Sequence, residues 1–351
     1  MKIDLLYLSA RGFGWGPIDE LVQLMARLLE ARVTVIPDRG EVSVWRKSAS
    51  LLPRRRRRGT ALLVIATNPA QLAYAARTHH WWPGYETIGA WVIDSFWTDR
   101  ISRFARGGHH FDHIFITDES LIDEWSEMTS TRTHWAPWGA DTLVFPISGG
   151  PRPTDLLRLG RQPEAWDDDS VTMELAGKLG LAMSGSPPSS SEGLRNQELL
   201  RTALLRSKCV LAFHNGASPG DYTHPTRTYV TGRWMNALAA GAIVVGATPP
   251  AAESQFWPGA TQEISPQDRV QGLHTVRDVV ASWTPAWALE NQVRARATLD
   301  WRLRIRGIVQ AMGLSEPRLL SEEISQLGQT DLLAPTADQL LRERRHPDSD
   351  A

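Results

Sequence analysis

The stretch Thr231-Gly232-Arg233-Trp234-Met235-Asn236-Ala237-Leu238-Ala239-Ala240-Gly241-Ala242-Ile243-Val244-Val245-Gly246 decides the fold class. Gly232 to Ala240 reads as a helix, and the continuous apolar run Ala242 to Gly246 as a strand buried on both faces. A second such run, Cys209-Val210-Leu211-Ala212-Phe213, lies upstream. Buried strands joined through helices belong to a parallel sheet, since parallel neighbours need a crossover and the crossover helices cover the sheet.

The alternation continues outward from that stretch. Downstream, Pro285 to Met312 holds one long amphipathic helix or two shorter ones. Upstream lie a strand at Leu156 to Leu159, a helix at Asp169 to Gly180, a short strand at Leu181 to Ser184 and a helix at Arg195 to Ser207. Ser184 to Gly193, rich in Ser, Pro and Gly, reads as a mobile loop. Phe145 to Pro153 reads as a connector, and before it the pattern runs through strands Ile3–Leu8, Val33–Ile36, Ala61–Ala66, Ile88–Ile93 and His113–Thr117. Helices fall between them: one opened by Pro17, Asp19 and Glu20 with Leu21, Leu24, Met25, Leu28 and Leu29 on one face, one near Pro69 to Arg77, and one around Ser120 to Met128. The expected fold is α/β, with two doubly wound, Rossmann-like domains over residues 1–148 and 149–334 and a polar, flexible tail over 335–351.

Composition narrows the function class. At 351 residues the chain is long for one core, and 42% hydrophobic with 22% charged residues is ordinary for a globular protein. A formal net charge of −1 gives no reason to expect a nucleic-acid partner. The run Arg54 to Arg58 is the local exception; it suits phosphate or an anionic membrane, or simply an exposed loop before a strand. Cys209 is the single cysteine, so no intramolecular disulfide forms, and its apolar neighbours mark it as a buried hydrophobe. The N-terminus turns polar too early for a signal peptide, and no apolar stretch approaches the ~20 residues of a membrane span. A cytoplasmic protein is expected, with peripheral membrane contact left open and the oligomeric state unread. Tryptophan is abundant at 15, a residue that stacks on the C–H face of sugars and also fills cores.

The segment from Asp221 to Gly241 follows one buried strand and enters the helix before the next, where ligands of open α/β sheets collect. Thr231 is placed to cap the helix, and Gly232 lets a ligand approach the backbone. His224, Arg227 and Arg233 bring donor or cationic groups near the same point, a constellation suited to an anion at a helix N-terminus. Surface arginines beside a packing helix are the plainer alternative.

The run Ala237 to Gly246 resembles the helix-glycine-strand signature of the group 1 glycosyltransferases, a superfamily of mostly retaining GT-B enzymes. Trp135-Ala136-Pro137-Trp138-Gly139-Ala140-Asp141, followed by Phe145, is similar to the family's P-x-G-x-D-x-x-x-F at the end of its first domain. Leu159-Gly160-Arg161 resembles the V-G-R that opens its second domain. The three matches stand in the family's order and cover about Thr133 to Gly246. The resemblance implies two domains facing a cleft, the first on the acceptor side and the second binding the nucleotide sugar, with closure excluding water. It also implies transfer of a hexose-type sugar from a nucleoside diphosphate to an acceptor, with no metal and no other cofactor. Arg161, Arg227 and Arg233, with the amides near Val230, Thr231 and Gly232, would then hold the departing diphosphate; His224 and Tyr229 would line the donor, and Asn236 would hold the ribose. Gly12, Gly14 and Gly16 resemble the family's first glycine-rich loop, and their spacing does not match a dinucleotide G-x-G-x-x-G.

The departures from the pattern are specific. The family's two glutamates, seven residues apart, fall at Thr228 and Asn236, and the lysine that often follows G-R is absent from Gln162-Pro163-Glu164-Ala165. This is closer to a divergent, spore-protein-like subgroup than to typical members. Asp94, ending the fourth strand, stands near where relatives often carry a histidine; it would act as a base toward the acceptor, hold a sugar hydroxyl, or cap the following turn. His109 and His110 would line the acceptor side, and His79 and His80 read as a solvated turn. Asp167-Asp168-Asp169 resembles a metal-binding acid cluster but opens a helix, where acids cap. Three other functions remain: a noncatalytic sugar-nucleotide-binding protein, a GT-B sugar-nucleotide epimerase and, with the missing fingerprint counting against it, an NAD-dependent oxidoreductase.

Overall fold

The structure is a computed structural model that describes residues 2–10, 13–38, 40–50, 52, 56–78, 84–102, 110–187, 193–220 and 222–329. Gly12, Arg54, His79, His80, His109, Asp221, residues 188–192 of the expected loop and the tail 335–351 lie outside the described residues.

The chain divides into two compact units, Met1–Trp138 with Arg302–Glu322, and Gly139–Trp301 with the chain from Glu323. The connector at Phe145 to Pro153 predicts one boundary near residue 148; in the structure the first unit also takes in Arg302–Glu322.

The first unit carries β1 (Lys2–Ser9), α1 (Gly16–Leu28), β2 (Arg32–Pro37), α2 (Val44–Ala49), β3 (Thr60–Ala66), α3 (Ala70–Ala75), β4 (Thr87–Val92), β5 (His113–Ile116), α4 (Ile122–Thr129) and β6 (Arg132–Trp135). The strands form one sheet in the order β2-β1-β3-β4-β5-β6, and every pairing is parallel. The central strands are the continuous apolar runs: β4 is buried at every residue and β3 at all but its first. α1 buries Leu21, Leu24, Met25 and Leu28, so its apolar stripe faces inward as its spacing predicts.

The second unit carries β7 (Thr154–Arg158), α5 (Asp169–Lys178), β8 (Met183–Ser184), α6 (Gly193–Leu205), β9 (Ser207–Leu211), α7 (Gly232–Ala239), β10 (Ile243–Gly246), β11 (Thr261–Glu263), α8 (Arg269–Ala281) and α9 (Pro285–Thr298). Its sheet is also parallel, in the order β11-β10-β9-β7-β8. Cys209 is fully buried in the core with Leu156, Trp166, Phe213, Val245 and Leu273, and burial pushes its thiol up to about 12. The region from Pro285 to Met312 is two helices, α9 and then α10 (Trp301–Ala311), followed by α11 (Arg318–Gln329). They part at the fully buried Asp300, whose carboxylate accepts from the Thr142 amide and hydroxyl.

Gly241 has a structural reason in each of its properties. Its φ of +87° ends α7 in the left-handed region, and a Cβ there would meet the Ala288 carbonyl oxygen at 2.7 Å and the Arg152 guanidinium. Arg152 itself is buried and donates to the carbonyls of Ser207 and Ala240, tying α7 to the start of β9. The helix-glycine-strand signature is therefore a packing device that aims the N-terminus of α7.

Candidate functional site: an anion cradle at the carboxyl ends of β7 and β9

In the second unit the chain moves from β7 to β8 on one side, then returns to β9 on the other. The order therefore reverses between β7 and β9, and the crevice beyond their carboxyl ends is the place where such sheets bind ligands. Leu159-Gly160-Arg161 emerges from β7 at this point, and His214 to Gly220 from β9.

Two arginines meet there with no acid paired to them among the described residues. Arg233, in the first turn of α7, lies across Gly160, whose φ of +77° and missing side chain make the space. Arg161 lies against Gly220, again where a Cβ would overlap it, and its guanidinium stacks 4.5 Å from the Tyr222 ring. Arg161 Nη1 is buried with no hydrogen-bond partner. Arg233 Nε donates only to Thr231 Oγ1, at 3.4 Å. Neither guanidinium pairs with a carboxylate among the described residues. Burial, and then the like charge of Arg161, hold Arg233 down to about 10, against the opposing pull of Tyr229 and Tyr222. Arg158, three residues before Arg161, shows the contrast: it is neutralised by Asp167 at 2.9 Å and Asp169 at 2.7 Å.

The N-terminus of α7 adds to this positive field. Thr231 occupies the cap position with extended backbone, but its side chain makes no cap hydrogen bond, contrary to the expectation from sequence. Its hydroxyl accepts from Arg233 instead, and the first turn of α7 holds no acid. The helix end keeps its donor character for a ligand.

The approach loop is organised by residues that the sequence reading did not single out. Asn215, buried at the end of β9, donates to the carbonyls of His224 at 3.3 Å and Arg227 at 2.6 Å and accepts from the Tyr229 amide at 3.3 Å. His224 Nδ1 accepts from the amides of Thr226 and Arg227, so this ring folds the loop. His214 Nδ1 does the same for Gly216 and Ala217, and burial lowers its pKa although Glu263 opposes this. The Asn215-Gly216 pair is a turn signal, and it was the available clue. Val230 is buried beneath the loop, and Asn236, partly exposed one turn along α7 from Gly232, makes no side-chain hydrogen bond among the described residues. Asp168 caps α5 by accepting from the Val171 amide, so the acidic triplet is a helix start.

In the first unit the order reverses between β1 and β3, and the glycine-rich segment follows β1. Gly14 has open space where a side chain would stand, and Gly16 begins α1. Asp94 follows β4, two strands from β1. Its carboxylate makes no hydrogen bond or ion pair among the described residues, so it does not cap the turn. Burial pushes it up to about 7, although Arg100, stacked on Trp97, opposes this.

No protein-family model matches the chain, and no curated protein matches its sequence. Solved structures match its fold. Anabaena HepE in complex with UDP aligns over 89% of this chain and 100% of its own at 10% identity with a TM-score of 0.52. The same protein with UDP and glucose aligns over the same shares at 8% identity and 0.54. An α,α-trehalose-phosphate synthase (UDP-forming) from Burkholderia vietnamiensis covers 91% of this chain and 98% of its own at 11% identity and 0.49. The fold is α/β of the GT-B type.

Proposed function

We propose that this protein is a glycosyltransferase that takes a sugar from a nucleoside diphosphate and delivers it to an acceptor hydroxyl. The observation that carries the reading is the pair Arg161 and Arg233, like charges brought together at a ligand-binding crevice with no acid paired to either among the described residues. Such a pair costs stability until an anion supplies the missing charge. A diphosphate fits: two negative charges, oxygens that accept from guanidinium forks, and a position at the end of α7. The fold shared with a protein solved with UDP and with UDP and glucose supports a uridine donor as the first candidate.

In the reaction the bond between the sugar's C1 and the diphosphate oxygen breaks and one to the acceptor oxygen forms. Charge develops on the leaving diphosphate, where Arg161, Arg233, Arg227 and the amides of Gly232 and Arg233 would stabilise it; losing one such contact typically costs roughly 10²- to 10³-fold. Asn236 would hold the ribose. Asp94, with a pKa near neutrality and no hydrogen bond to its carboxylate among the described residues, would receive the acceptor's proton. Transfer without a metal belongs to the same reading, since the arginines take the place of a divalent ion; retention at C1 and membership of the divergent, spore-protein-like subgroup are proposed from the resemblance of the motifs. Thr228 and Asn236, standing where the family has glutamates, favour a second reading, a noncatalytic sugar-nucleotide-binding protein.

A thermal-shift screen of the full chain against UDP, GDP, dTDP, ADP and NAD, with and without EDTA, tests the site. A rise with one nucleoside diphosphate, unchanged by EDTA and lost in Arg161→Ala, is expected. No rise with any of them, or a rise with NAD alone, overturns the reading. Release of UDP from a UDP-sugar by wild type, lost in Asp94→Asn, separates the enzyme from the binding protein.

A further inference from the structure

We propose that the first unit docks on an anionic lipid surface through α2 and the exposed Arg57 and Arg58 that precede β3. α2 buries none of its six residues. A helix this short is not stable by propensity, and here no core holds it; Ser43 caps its start and little else supports it. It nevertheless presents Val44 at 74% and Trp45 at 86% exposure, with Leu52 at 61% shortly after. A tryptophan side chain left almost wholly in water is an unusual use of the largest apolar residue.

Cations flank these side chains in the sequence. From Glu41 to Thr60 the sequence holds seven cations and one acid. Arg46, Lys47, Arg57 and Arg58 are exposed and pair with no acid among the described residues; Arg56 pairs with Asp112 at 3.3 Å. The chain's net charge of −1 makes this concentration local. Exposed Trp and aliphatic side chains set among basic ones are what an interfacial segment needs: the apolar groups enter the headgroup boundary and the cations hold anionic headgroups. Nucleic acid would employ the cations, but Val44 and Leu52 would stay in water. The lipid surface uses all three groups. No helix among the described residues is long and apolar enough to span a bilayer, so the contact lies at the surface.

Flotation of the full chain with vesicles tests this directly. Phosphatidylcholine vesicles containing phosphatidylglycerol should carry the protein, phosphatidylcholine alone should not, and added salt should release it. Trp45→Ala is expected to weaken binding about tenfold, and Arg57→Gln with Arg58→Gln on the order of fivefold for each cation removed. Both variants change only exposed side chains, and unaltered thermal melts confirm that they fold. Absence of binding to the anionic vesicles overturns the proposal, as does binding indifferent to Trp45→Ala. Displacement from vesicles by a short RNA or DNA duplex, with Trp45→Ala leaving the duplex affinity unchanged, would assign the patch to nucleic acid instead. Nucleotide binding in the second unit is a separate readout, so either proposal fails alone.

Discussion

Replacing Arg233 by methionine should make the empty protein more stable and the nucleotide-bound protein less so. Methionine keeps an unbranched stem to pack over Gly160 and against Trp234, and it removes the charge. The fall of Arg233 from the ordinary guanidinium range to about 10 corresponds to a ceiling of ~3 kcal/mol, at ~1.4 kcal/mol per pH unit. The group keeps some access to water, so a high effective dielectric reduces this to ~1 kcal/mol. A base whose folded pKa is depressed regains stability only as pH rises through the interval between the folded and unfolded values, here above about 10. At pH 7 the cost is constant, and removing the charge should raise the melting midpoint of the empty protein by roughly 2 °C.

Nucleotide reverses the comparison. Wild type at a hundredfold excess of UDP over its dissociation constant gains ~2.7 kcal/mol. A charge-assisted hydrogen bond contributes ~1.5–3 kcal/mol, so the variant should bind UDP roughly 10- to 100-fold more weakly and show little shift at the same concentration. Scanning calorimetry of both proteins with and without UDP gives all four midpoints. The reasoning is refuted if Arg233→Met lowers the midpoint of the empty protein while the UDP shift survives, because Arg233 would then be a structural clamp.

Two further substitutions test neighbouring parts of the argument. Asp94→Asn should lower kcat/KM by about 10²- to 10⁴-fold and remove its rise through pH 7. The raised folded pKa means that wild type loses stability as pH rises from 3.8 to about 7, so the variant should be the more stable protein at pH 8 and the difference should close near pH 4, read by melts across that range. Gly160→Ala places a side chain at φ +77° and into the Arg233 guanidinium; it should cost ~1–2 kcal/mol of stability and weaken UDP binding, measured by denaturant unfolding and titration calorimetry.

The strands that carry the fold were legible because parallel sheets buried on both faces write themselves as unbroken apolar runs, as at Leu62-Leu63-Val64-Ile65 and Ile243-Val244-Val245. β6 escaped because Arg132-Thr133-His134-Trp135 is an edge strand, only partly buried, with no such run. β11, a three-residue edge strand of the second sheet, escaped likewise. α2 has no buried face and hence no periodicity to detect. α8 was readable in principle, from Asp268 at its cap and Leu273 and Val276 on its inner face. At the site, charge was the visible part: Arg161 and Arg233 stand out in sequence, while Asn215 acts through hydrogen bonds to residues 9 to 14 positions away. Thr231 shows the limit of local rules. Its position and backbone are those of a cap, yet the adjacent Arg233 takes its hydroxyl.

The placement of uncompensated charge is what links the fold to chemistry. Both sheets are parallel and reverse their order once, so the topology alone offers two equivalent crevices. Electrostatics makes them unlike. The second unit gathers two arginines at a bare helix end and pairs neither with an acid among the described residues, although Arg158 nearby is neutralised by Asp167 and Asp169. The first unit leaves the Asp94 carboxylate without a hydrogen bond among the described residues beyond β4, pushed up to about 7 by burial against the pull of Arg100. Each arrangement is unfavourable to the empty protein, and a sequence selected for stability alone would discard it. Glycosyl transfer needs both signs, positive charge for a departing diphosphate and a group of near-neutral pKa for the acceptor's proton. A protein that only bound the nucleotide would need the arginines and would have no use for Asp94, so the pH profile of Asp94→Asn decides between catalysis and binding more sharply than any loss of affinity.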